Sequence, residues 1–125
     1  MKYKFVIERS KTGYSAYEKK SPIFTYGDTI HEMQLNALEA VNLYEEEFDN
    51  KLSTINNLSF EIDFKQFFDY YKVINSKYLA KRIGMNESLL SQYVNGKKNP
   101  SKKQVERIID GLHEIGKELT ELVLV

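Results

Sequence analysis

Cysteine is absent from the 125 residues, and histidine occurs twice, at His31 and His113. Without a thiol there is no disulfide framework, no thiolate zinc site and no cysteine nucleophile, and two histidines so far apart in sequence offer no metal-ligand spacing. Neither a metal nor another cofactor is expected. Long apolar runs are missing too: the opening MKYKFVIERSKTG contains only Phe5-Val6-Ile7 before Glu8 and Arg9, and no segment approaches about 18 apolar residues. The expectation is a cytoplasmic chain with neither signal peptide nor membrane span. Its length suits one ordinary domain or two very small ones, and 7 Phe and 9 Tyr among 42% hydrophobic residues are enough to build a core.

A formal charge of zero conceals an asymmetry. Residues 1–63 hold 7 Lys/Arg against 11 Asp/Glu and residues 64–125 hold 11 against 7, so the halves carry −4 and +4. Between Ser76 and Arg107 the excess sharpens to eight basic residues (Lys77, Lys81, Arg82, Lys97, Lys98, Lys102, Lys103, Arg107) against Glu87 and Glu106. A local surplus of this kind attracts a polyanion even when the whole chain is neutral, although a solvated lysine face has the same composition.

Alternation marks the strands. Tyr3, Phe5 and Ile7 share one face of a run from Lys2 to Glu8, Ser10-Lys11-Thr12-Gly13 turns the chain, and residues 14–18 alternate again, which predicts a hairpin. A third short strand is expected over residues 23–26 and a fourth over 58–62. Between them, Thr29-Ile30-His31-Glu32 has the form of a capping box, and Ile30, Met33, Ala37, Val41, Tyr44 and Phe48 recur at helical steps, predicting a helix to about Asp49. The fold class expected is α+β: a small antiparallel β-β-β-α-β domain over residues 1–63, then an all-α domain over residues 64–125.

In that second half, Asp63-Phe64-Lys65-Gln66 opens a short helix whose aromatic stripe of Phe64, Phe67, Phe68 and Tyr71 reads as packing rather than as a stacking platform for single-stranded nucleic acid. Asn75 caps a helix from Ser76 to about Ile83, Gly84 turns the chain, and Asn86 caps another to about Val94 that Asn95-Gly96 ends. Ser101 caps a last helix with the stripe Val105, Ile108, Ile109, Leu112, Ile115, Leu119 and Leu122.

Residues 75–100 therefore have the spacing of a helix-turn-helix. Ala80 is small where a second helix crosses, Gly84 supplies the turn, and Leu79, Ile83, Met85 and Leu90 fill the wedge between the helices. Glu87, Ser88, Ser91 and Gln92 face outward, where a helix in the major groove meets base edges. Asn95, Gly96, Lys97 and Lys98 follow, with side-chain and backbone donors for phosphates. One recognition helix covers few base pairs, so a homodimer or higher oligomer on double-stranded operator DNA is expected, with the apolar Leu119, Leu122, Val123, Leu124 and Val125 as a buried contact between subunits or against the subunit's own core.

The stretch resembles the Cro-repressor type of helix-turn-helix, in which the later helix ends in Asn-Gly-Lys and then Pro, here Asn95, Gly96, Lys97 and Pro100. The resemblance implies phosphate contacts at Asn75, Ser76 and Asn95 and base reading by Glu87, Ser88 and Gln92. Residues 3–47, with Gly13-Tyr14, then Pro22, then Gly27-Asp28-Thr29 opening a helix that contains Glu39-Ala40, resemble the sheet domain of HicB-type antitoxins, although Ser21-Pro22-Ile23-Phe24 stands where that family often has a Pro-Gly-Cys element. The combined resemblance implies a partial ribonuclease H-like fold without nuclease activity, which occludes a small HicA-type ribonuclease toxin while the other half represses the operon. The −4 half suits a partner that is basic in order to hold RNA. Tyr3, Tyr14, Tyr17, Phe24 and Tyr26 are the anchor candidates for that partner, some of them necessarily in the core.

Two rival functions meet resistance in the sequence. An enzyme would start from Asp28, His31 and Glu32, yet Asp28 and Glu32 belong to a helix cap and no nucleophile or phosphate loop lies nearby, while Glu8, Glu18 and Glu61 read as single outward residues of a solvated sheet. No enzymatic activity is expected. A metabolite-responsive repressor, with the sheet as effector domain, needs a concave pocket that a domain this small does not easily supply, though a dimer interface could.

Overall fold

A computed structural model describes residues 2–48 and 51–125, which form two compact units, the first ending at Tyr70 and the second starting at Tyr71. In the first unit β1 (Tyr3–Ser10), β2 (Gly13–Glu18) and β3 (Phe24–Gly27) precede α1 (Ile30–Glu46), and β4 (Leu58–Ile62) leads directly into α2 (Phe64–Tyr70). Asp49, the expected end of the first helix, lies outside the described residues.

The fold is α+β, and its sheet is mixed. Strand order is β3-β2-β1-β4, with β1 and β2, and β2 and β3, antiparallel but β4 parallel to β1. Short turns can only reverse the chain, so β3 ends up running in the direction of β1. A helical crossover then returns β4 along that same direction on the far side of β1. The antiparallel pairing expected of the fourth strand is thereby corrected.

Alternation sends Tyr3, Phe5, Ile7, Ala16 and Leu58 to one face, where Met33, Ala37 and Val41 of α1 and Ile23 close over them. Thr29 caps α1 by accepting the Glu32 amide at 3.1 Å. The buried stripe of α1 ends on Glu45, not on Phe48, which is exposed. The reason is a polar cluster: the Tyr3 hydroxyl and the Ser53 hydroxyl each donate to the Glu45 carboxylate at 3.0 Å. Burial first, and the bond to Glu45 second, push the Tyr3 hydroxyl up to about 12.

Glu18 does not point outward either. It is buried on the helix side, where its carboxylate accepts the amides of Lys4 and Lys20, both at 2.8 Å, and the Ser21 hydroxyl at 2.9 Å. Glu61 is the outward residue expected, and it pairs with Lys19.

The helix α2, expected to open the second domain, belongs instead to the first unit. Phe64 and Phe68 are buried and Phe67 and Tyr70 half-buried, with Phe67 edge-on to Phe68 at 5.3 Å between centroids. Rings held this way are packing, as their spacing predicts.

The second unit contains α3 (Ser76–Ile83), α4 (Glu87–Val94) and α5 (Lys102–Thr120) around Leu79, Ala80, Met85, Leu90, Tyr93 and Ile108. The expected stripe leaves this core at the end of α5, where Leu119 is 61% exposed, and Leu122, 76% exposed, lies past the helix. Among the described residues no helix is long and apolar enough to cross a membrane.

Candidate nucleic-acid interface

The second unit's first two helices start and stop by matching local chemistry. Asn75 caps α3 by accepting the Tyr78 amide at 3.2 Å, and Asn86 caps α4 by accepting the Leu89 amide at 3.1 Å. Each helix also ends on a glycine in the left-handed region, Gly84 at φ 68° and Gly96 at φ 73°. After α3 the Met85 amide reaches back to the Ala80 carbonyl at 2.9 Å, and after α4 the Lys97 amide reaches the Gln92 carbonyl, also at 2.9 Å. This six-to-one closure satisfies carbonyls that a helix end leaves open, and it reverses the chain within two residues. Residue types alone thus place α3 and α4 as two short helices across a tight turn, with Ala80 and Leu90 fully buried between them.

The outward face of α4 carries the expected polar residues. Ser88, Ser91 and Gln92 are exposed at positions i, i+3 and i+4, on one side of the helix. Glu87 is half-buried, its carboxylate 3.7 Å from the Lys81 ammonium, so part of its accepting capacity is already directed at α3. The Asn95 side chain donates to the Ser91 hydroxyl at 3.2 Å, which ties the end of α4 to its own outer face. Asn75 and Ser76 stand together at the amide-rich start of α3, where a phosphate oxygen finds donors.

The eight cations between residues 76 and 107 divide into two sets. Lys81 pairs with Glu87, Arg82 pairs with Glu118, and Arg107 turns inward onto backbone carbonyls. Glu118 holds the Arg82 guanidinium above its ordinary range, through the hydrogen bond first. Lys77, Lys97, Lys98, Lys102 and Lys103 are exposed and make no ion pair among the described residues. Four of these five lie between the end of α4 and the first turn of α5, following Asn95 and Gly96 in the chain, and concentrate exposed positive charge in that connection.

One residue that sequence reasoning missed is Tyr78, 62% exposed on α3 with the Lys81 ammonium 5.1 Å above its ring. The signal that could have found it is a large aromatic off the apolar stripe of a short, otherwise polar helix.

Of the five aromatic anchor candidates in the first unit, Tyr3 is buried in the core and Tyr14 is half-buried against it, with the Arg9 guanidinium 4.7 Å over its ring. Tyr17 (41% exposed), Phe24 (65%) and Tyr26 (37%) lie on the sheet face that α1 leaves uncovered. Tyr17 and Phe24 are direct cross-strand partners, and Tyr26 is two residues further along β3. The Asp28 carboxylate accepts the Tyr26 hydroxyl at 3.1 Å.

Residues 74–114 match a family model described as helix-turn-helix. No curated protein and no solved structure matches the chain. The second unit therefore carries a DNA-binding helix-turn-helix of the kind found in transcription regulators.

Proposed function

We propose that the chain is a HicB-type antitoxin: the first unit covers a small, basic, HicA-type ribonuclease toxin, and the second represses the operon from which both are made. The observation that carries this reading is the pairing, on one short chain, of a helix-turn-helix with a sheet unit that displays Tyr17, Phe24 and Tyr26 on an uncovered face. Exposed Glu32, Glu39, Glu46 and Glu47 on and just after α1 add negative potential that suits a cationic partner. An interface of about 1,600 Å² built around a few aromatic anchors reaches nanomolar affinity. Inhibition on this reading is steric, and the chain itself catalyses nothing.

Repression requires two half-sites and hence at least a dimer. Leu119 and the run Leu122-Val123-Leu124-Val125 are all exposed, so they do not pack on the subunit's own core, which supports the other expected role, contact with a second copy.

A metabolite-responsive repressor is the second reading. An open pocket of about 430 Å³ lined by Lys2, Tyr3, Glu18, Lys20, Ser21, Tyr44 and Phe48 favours it, since the first unit does offer a concavity with polar groups. The experiment that separates the two is a ribonuclease assay on the product of the neighbouring gene. The antitoxin reading expects stoichiometric loss of activity when the full chain is added; an undiminished ribonuclease, or a neighbour that is no ribonuclease, overturns it.

A further inference from the structure

Arg107 belongs by charge to the basic surplus and by position to α5, outside the helix-turn-helix pair. Its guanidinium nevertheless points back into the turn. Nη2 donates to the carbonyls of Ile83 and Gly84, both at 2.9 Å, while Nη1 donates to the Gln104 side chain at 3.0 Å, which holds the fork in plane. The two carbonyls are the last of α3, the negative end of its dipole, and Gly84 is the residue at which the chain leaves α3 for α4. A cation there neutralises that end, and Nη2 alone holds both consecutive peptide carbonyls while Nη1 is anchored on Gln104, a two-nitrogen arrangement that a single ammonium does not reproduce.

The same face of α5 meets α3 at two further points. Gly111 is buried, and a Cβ placed on it would stand 2.3 Å from Ile83 Cγ2, so the two helices approach as closely as they do because position 111 has no side chain. Glu118 takes the Arg82 guanidinium two turns later. Residues 107, 111 and 118 are spaced by four and seven, so they lie along one line of α5 against Arg82 and Ile83 of α3 and Gly84 at its cap.

We infer that Arg107 is a positioning residue for sequence reading: it locks the Ile83–Gly84 pivot and thereby the angle at which α4 is presented, and it is not one of the phosphate contacts. The inference rests on the second unit binding DNA through α4. A phosphate contact and a positioning contact differ in what they support. Removing the first weakens binding to every duplex and flattens the salt dependence by about 0.9 per phosphate. Removing the second leaves that electrostatic binding intact and lowers only the advantage of the right sequence.

The test uses the full chain, a duplex that the wild-type chain itself selects from a random-sequence pool, and a scrambled duplex of equal length, titrated at several salt concentrations at a temperature where circular dichroism shows each variant folded. Arg107→Lys keeps the charge without the second nitrogen that Gln104 anchors; Arg107→Met keeps the aliphatic stem without the charge. Both are expected to lose affinity for the selected duplex by about tenfold, the equivalent of one charge-assisted hydrogen bond, with the scrambled duplex and the salt slope unchanged. A Lys variant that equals wild type beside a Met variant that weakens on both duplexes alike identifies a phosphate contact and overturns the inference, as does an unchanged ratio in both. Should either variant unfold, Gln104→Ala replaces it, with a smaller fall in the same ratio expected and an unchanged ratio again contrary. A wild-type chain that selects no sequence overturns the DNA reading itself, which distinguishes that failure from failure of the Arg107 inference alone.

Discussion

The side chain of Gln66 pairs with both backbone groups of Arg9: its carbonyl accepts the Arg9 amide at 2.7 Å and its amide donates to the Arg9 carbonyl at 2.6 Å. The amide group thus extends the ladder of β1 past the end of β4 and fastens α2 to the sheet. Gln66→Leu removes both of these hydrogen bonds at a part-buried strand end, which costs about 1–3 kcal/mol. Chemical denaturation of the full chain should show a lower midpoint for the first unit, and a fragment ending at Asp63 should unfold below one ending at Tyr70. Equal midpoints would place α2 outside the first unit.

Lys97 and Lys98 are predicted to act on any duplex. With both changed to Glu, affinity should fall on specific and random DNA alike, and the slope of log K against log salt should flatten by about 0.9 for each phosphate that is no longer neutralised. Anisotropy titrations over a range of salt read this directly. A decrease confined to one sequence would mean that these lysines read bases.

Gln92 should behave in the opposite way. Exposed on the outer face of α4, it is in place to take a base edge through its amide, so Gln92→Ala should relax discrimination at about one base pair, worth roughly 1–3 kcal/mol, while random-duplex binding holds. Selection from a random pool by both proteins gives the comparison, and identical preferences would remove Gln92 from the interface.

Glu18 predicts a dependence on pH. Burial alone would raise its carboxyl, but the amides of Lys4 and Lys20 and the Ser21 groups outweigh burial and hold it below the usual value of 4.5. The folded carboxyl thus gives up its proton more readily than the unfolded one. Its contribution is present above the unfolded value and is lost as the pH falls through the lower folded value. Glu18→Gln should cost about 1.5–3 kcal/mol at neutral pH and show a shallower loss of stability in acid than wild type. Parallel acid profiles would remove Glu18 as a source of that loss.

Much of this architecture is legible in the sequence because it is written in local chemistry. Asn75, Asn86 and Ser101 cap helices where their side chains can reach an amide three residues on, and Gly84 and Gly96 stop helices where φ turns positive. What is not legible depends on partners distant in sequence. Leu58–Ile62 alternates in the same way whether its neighbour runs parallel or antiparallel, so only the crossover decides the pairing. Glu18 and Glu45 are buried because amides and hydroxyls elsewhere in the chain close around them, and a carboxylate considered alone is expected in water. In the same way Lys81, Arg82 and Arg107 count toward a basic patch until Glu87, Glu118 and two helix-end carbonyls are found beside them.

Sequence-specific DNA binding by α4 underlies both the regulatory role and the inference about Arg107, and a footprint tests it most directly. The wild-type chain is incubated with the duplex upstream of its own coding sequence in the presence of excess random DNA, and cleavage is read along both strands. The account predicts protection of two half-sites centred about one helical turn apart, roughly 10–10.5 base pairs, as a two-fold dimer requires. Protection that spreads evenly along the duplex, or none at concentrations that fail to distinguish it from random DNA, would contradict the assignment.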